Sequence, residues 1–158
     1  MQNYLAIFND LKSERSAEFH SLHGLTVKSG VGHGAVVLKL LKPTWTTDTE
    51  DEFLNTNGVF FSVWVDDACQ AKGIARYNLH AKKLRFIKGE KFEARQFVRT
   101  FRAAMNLQEW PNASFPKGPI TLFEGHIQLD ANTLQRETAI LMDRFAKLTP
   151  KLDQMLAE

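Results

Sequence analysis

Apolar residues in the first 22 positions recur at helical spacing. Tyr4, Ile7, Phe8, Leu11, Phe19 and Leu22 fall on one arc, which predicts an amphipathic helix over 2–22. Arg15 lies on the same arc. Either its stem packs while its head reaches water, or the helix breaks over 13–16. The pattern then shortens. Residues 35–41 form an apolar, β-branched run between the glycine-dense stretch Ser29-Gly30-Val31-Gly32-His33-Gly34 and Pro43. A run bounded in this way reads as a strand, with 25–28 as its partner and the glycines as a hairpin loop. Residues 44–57 are polar and acidic, with Asp48, Glu50, Asp51 and Glu52 close together, and read as a long loop.

The run Val59-Phe60-Phe61-Ser62-Val63-Trp64-Val65 is apolar on both faces, as expected of a central strand that Asp66-Asp67 closes. Residues 73–81 alternate instead. Ala75, Tyr77, Leu79 and Ala81 point one way, and Arg76, Asn78, His80 and Lys82 the other, so this strand has one wet face. The phase breaks at Lys82-Lys83, where a bulge or a helical turn fits, and 84–88 reads equally as strand or helix. Residues 90–105 are helical. Ala94, Phe97, Val98, Phe101, Ala104 and Met105 share an arc of about 120°, and Lys91, Arg95, Arg99 and Arg102 a separate arc of about 80°. A proline-rich loop over 110–119, a strand over 120–129 and a helix over 132–148 follow. Thr149-Pro150 reads as an N-cap and first helical position, opening a last short helix.

Consecutive short strands with few intervening helices favour an antiparallel meander over parallel βαβ units. The order predicts an α+β fold. An antiparallel sheet of four to five strands carries an N-terminal helix, a central basic helix and C-terminal helices, packed mainly on one face. A chain of 158 residues, 44% hydrophobic and 24% charged, is expected to form a single globular domain over 1–158. No repeat or low-complexity tract divides it. The single cysteine, Cys69, cannot form an internal disulfide. It sits in an acidic stretch, which disfavours a thiolate, so it reads as a structural residue. The N-terminus has no basic cluster followed by an apolar segment of signal-peptide length, and no run could span a bilayer. The expectation is a soluble, cytoplasmic protein with no membrane contact.

Charge changes the picture most. The formal net charge is only +2, yet ten of the twenty Lys and Arg residues lie between Lys72 and Arg102, where only Glu90 and Glu93 oppose them. That segment carries +8 and the remainder −6, a polarity that bears on partners rather than on fold. If the wet strand face abuts the basic helix stripe, then Arg76, Asn78, His80, Lys82, Lys91, Arg95, Arg99 and Arg102 form one positive surface able to hold a polyanion. Nucleic acid and an acidic protein are the partners considered. Phe86 or Phe92, if exposed, would stack on unpaired bases. Alternatively the stripe is simply solvated, or is neutralised by Asp48, Glu50, Asp51 and Glu52 and by Asp66 and Asp67 of the same chain. Paired with the acidic loop of a second copy, it would instead give a homodimer.

Enzyme signatures are weak. His20 and His23 share a side of the first helix, and Glu124 and His126 a strand face, so either pair could start a metal site, but further ligands are missing. A metal-dependent hydrolase or nuclease-like centre built on Asp66, Glu124 and His126 lacks a second carboxylate on the neighbouring strand. The glycine stretch lacks the Lys-Ser/Thr of a phosphate loop and precedes a strand. The expectation is therefore a binding protein rather than an enzyme, with no cofactor and no metal.

Overall fold

The structure, a computed structural model, describes residues 2–46 and 57–157. Helix α1 (Gln2–His23) leads into strands β1 (Thr26–Gly32), β2 (Ala35–Thr46) and β3 (Gly58–Val65). Helix α2 (Asp67–Lys72) precedes β4 (Ile74–Lys82), and α3 (Arg85–Lys88) and α4 (Ala94–Ala104) precede β5 (Thr121–Gln128) and α5 (Leu134–Ala157). The strands form one antiparallel sheet in the order β1-β2-β3-β4-β5. The α+β class and the meander follow from the residues as predicted.

Alternation along the strands separates the two faces. Val36, Leu38, Leu40, Val59, Phe61, Val63, Tyr77, Leu79 and Phe123 are buried on one face, inside a single hydrophobic cluster with Phe8, Leu11 and Phe19 of α1 and Phe145 of α5. Phe61 stacks on Phe145 at 4.8 Å between centroids, and Phe101 of α4 stacks on Phe123 at 6.2 Å. Trp110 inserts edge-on against Phe123 at 4.8 Å and touches Phe61 and Tyr77. Gly125 makes this packing feasible. A Cβ there would lie 2.4 Å from the Tyr77 hydroxyl, which donates to the Pro111 carbonyl at 2.5 Å. Burial pushes the Tyr77 phenol well above its usual range.

Several boundaries differ from the pattern-based expectation. The glycine-dense stretch belongs mostly to β1, and the turn shrinks to His33-Gly34, both at positive φ. Helix α1 runs unbroken, because Arg15 reaches Asp143 of α5 and lies 4.9 Å from the Phe19 ring centre. Leu22 is exposed, not part of the buried stripe. Asp66 does more than close β3. Its side chain accepts from Cys69 N at 2.8 Å and caps α2, which Gly73 ends in the left-handed conformation. Residues 85–88 form a helical turn. The basic helix begins only at Ala94, leaving Lys91 in the turn before it. Helix α5 passes straight through Pro150 rather than restarting at Thr149. The Thr149 hydroxyl is buried and donates to the Phe145 carbonyl at 3.5 Å, so it caps nothing. A proline ring removes one donor, and packing of Leu152 and Leu156 holds the helix beyond it. Trp45 and Trp110 are both buried.

Candidate binding surfaces

The register lines up polar residues across the whole sheet on the face opposite the core. Lys28 pairs with Lys39, Lys39 with Ser62, Ser62 with Asn78, and Asn78 with Glu124. On one side of this row lie Val37, Trp64, Arg76 and His126; on the other lie Leu41, Phe60, His80 and Thr121. Leu41 and Phe60 are buried, yet neither belongs to the main hydrophobic cluster. At the centre of the row Lys39, Ser62 and Asn78 are buried as well. They line a cavity of about 310 Å³ together with Phe60, Trp64 and His80, with His33 and Asp66 at its border.

Side-chain contacts fix the cavity's chemistry. The Lys39 ammonium lies 4.7 Å from the Phe60 ring centre, and His80 packs on the same ring at 4.9 Å. Asn78 Nδ2 is 3.0 Å from His80 Nε2, and His80 Nδ1 is 3.4 Å from the Thr121 hydroxyl. Burial first, and then the positive charges of Lys39 and Lys82, push the His80 imidazole below its ordinary value, against an opposing contribution from the Ile120 backbone. A neutral ring with its proton on Nδ1 accepts from Asn78 at Nε2. The Asn78 Oδ1 atom is buried with no hydrogen-bond partner among the described residues. At the border, the N–H of Cys69 and then the nearby Arg76 guanidinium hold the Asp66 carboxyl below the usual range.

The second surface lies where β4 ends. Lys83, Arg85 and Arg95 border a cleft of about 580 Å³ that Glu93 also lines, and Ala81, Leu84, Val98 and Ile120 supply apolar walls. Lys83 sits at positive φ, turning the chain away from the sheet immediately after Lys82. Arg95 and Arg99 follow one another at i, i+4 along the exposed side of α4.

The eight residues expected to form one positive surface therefore separate into groups. Arg76, Asn78, His80 and Lys82 issue from the open face of the sheet. Helix α4 packs Phe101 against Phe123 on the other face, so Arg95 and Arg99 point outward from the helical side. Arg102 turns inward. It donates to the carbonyls of Leu122 at 3.0 Å, Gly118 at 2.9 Å and Thr121 at 2.9 Å, tying α4 to the start of β5. None of the ion pairs between described residues engages Arg76, Lys82, Lys91, Arg95 or Arg99. The acidic stretch Asp48, Glu50, Asp51 and Glu52, one of the alternatives for neutralising them, lies outside the described residues. So does the side chain of Phe86, while Phe92 is half-buried against Phe97.

Glu124 and His126 do share the open face, opposite Asn78 and Arg76. His23 packs edge-on against Phe19. Among the described residues, no group of three or more His, Cys, Asp or Glu side chains could hold a metal ion, and no helix is long and apolar enough to cross a membrane. Sequence reasoning passed over Lys39 and Ser62, and counted Lys83 and Arg85 in the basic segment without naming them as site residues. A signal for the first two exists, since each interrupts an otherwise apolar strand. The chain matches no protein-family model, no curated protein and no solved structure.

Proposed function

We propose that this protein acts by binding, and that its partner is a polyanion, nucleic acid being the first class to test. The observation that carries the reading is the cleft at the end of β4, where Lys83, Arg85 and Arg95 border one cavity with Glu93 as the carboxylate among its lining residues. Arg99 continues the positive charge along α4. Guanidinium groups held at a concave, partly apolar border suit phosphate, because they present paired donors and lose little hydration on contact. Binding through them releases counterions, so affinity falls steeply as salt rises.

The test is a gel-retardation series with single- and double-stranded oligonucleotides, starting at about 50 mM salt. The wild type should retard at least one of them, and the complex should weaken progressively with added salt. Arg85→Glu combined with Arg95→Glu should abolish retardation while the thermal midpoint stays within a few degrees. Arg76→Glu with Lys82→Glu, on the other side of the sheet, should leave it largely intact. No association at about 50 mM salt, or equal loss from both double variants, would sink the cleft as the site.

A further inference from the structure

A second site stands apart from the cleft, on the open face of the sheet. Its mark is an acceptor with nothing to accept. Asn78 is 6% exposed, its Oδ1 has no partner among the described residues, and it lines the cavity between Phe60 and Trp64. Its orientation is set by its own nitrogen, which is held 3.0 Å from His80 Nε2. A leucine of similar size would fill the position with no unmet polar atom. The buried oxygen is therefore a cost to the folded chain that an incoming donor would remove.

We propose that this cavity binds a planar heterocycle presenting a ring N–H beside a carbonyl, the edge carried by uracil-type and guanine-type nucleobases. The N–H donates to Asn78 Oδ1. The neighbouring carbonyl accepts from the Ser62 hydroxyl, one strand away in the same row, at a cross-strand Cβ spacing of about 5 Å. Phe60 and Trp64 precede and follow Ser62 on the same side of β3, so their rings flank the row as walls against which the heterocycle lies. The cavity's 310 Å³ is at the small end of ligand sites and suits one base with its sugar. His80 supports this arrangement. Kept neutral by burial, it accepts from Asn78 rather than competing for its oxygen.

The same edge is found on a free nucleoside and on a base within a single strand, and calorimetric titration separates the two sources. Uridine should saturate the protein with a Kd of about 1 mM or tighter. Its 3-methyl derivative, which lacks the ring N–H, should bind at least tenfold more weakly. Asn78→Leu should lose uridine binding at least tenfold while melting at or above the wild-type temperature. Because 3-methyluridine alters the ligand and not the protein, it keeps the test valid if that variant folds poorly. An oligouridylate of about eight nucleotides that binds much more tightly than uridine, with the gain lost both at high salt and in Asn78→Leu, identifies a strand as the source. Equal affinity per nucleoside identifies the free molecule. Arg85→Glu with Arg95→Glu should leave uridine binding unchanged, so failure of the cleft and failure of this cavity are read separately. Equal affinity for uridine and its 3-methyl derivative would overturn the assignment. So would no saturation by about 10 mM uridine.

Discussion

The two faces of the sheet are made by alternate residues of the same strands, yet they are built on different principles. On the helical face Val59, Phe61, Val63, Tyr77 and Leu79 are fully buried among Phe145, Trp110 and Phe123. Its order comes from close packing, where each side chain is fixed by many weak contacts. On the open face Lys39, Ser62 and Asn78 are buried among Phe60, Trp64 and His80 around a cavity. Of the polar groups in that row, the Asn78 Oδ1 atom has no hydrogen-bond partner among the described residues, unlike anything on the apolar helical face of these strands. Burial alone therefore does not distinguish core from site. The chemical type of what is buried, and whether its polar atoms are met, does.

The contrast breaks most visibly by truncation on the helical face. Phe61→Ala removes a ring stacked on Phe145 and should cost about 3–5 kcal/mol in urea unfolding. Ser62→Ala, the next residue on the other face, should cost less than about 1 kcal/mol. Near-equal losses would show the open face to be an ordinary core. Gly125→Ala should cost about 1–3 kcal/mol, because the new Cβ meets the Tyr77 hydroxyl and the chain must shift to admit it. Arg102→Ala, which strips donors from three carbonyls, should cost about 1–3 kcal/mol. Arg99→Ala, three residues earlier on the exposed side of the same helix, should stay within about 0.5 kcal/mol.

The smallest effect is in pH dependence. His80 titrates lower in the folded chain than in the unfolded one, where the pKa is about 6.5. The unfolded state therefore binds the proton first as pH falls. The stability that neutral His80 contributes is complete above about pH 6.5 and is lost as pH drops through the lower folded value. Thermal midpoints from about pH 8 to pH 5 should decline, and His80→Gln should flatten the decline. An unchanged slope in that variant would assign the effect to other groups.

Much of the fold could be read from local pattern. The alternation of β4 identified Arg76, Asn78, His80 and Lys82 as one face, and the arc over Phe97, Val98 and Phe101 identified the buried side of α4. The errors arose where a distant contact overrode a local signal. Pro150 marks a helix start on local grounds, yet the buried residues Leu152 and Leu156 carry α5 through it. Arg102 sits on the basic arc by periodicity, yet three carbonyls from the β5 side draw it inward.

The sequence by itself determined that this is an α+β meander with concentrated positive charge. Periodicity and charge are properties of neighbouring positions, and the backbone repeats express them directly. Only the tertiary structure decided which charges stand together. It sent Arg76 and Arg95 to opposite sides of the sheet, gathered Lys83, Arg85 and Arg95 at one cleft, and set Lys39, Ser62 and Asn78 in a single row. Such groupings depend on strand register and on the face to which a helix docks. Both are settled by burial of apolar surface between residues far apart in the chain, which no short window of sequence contains.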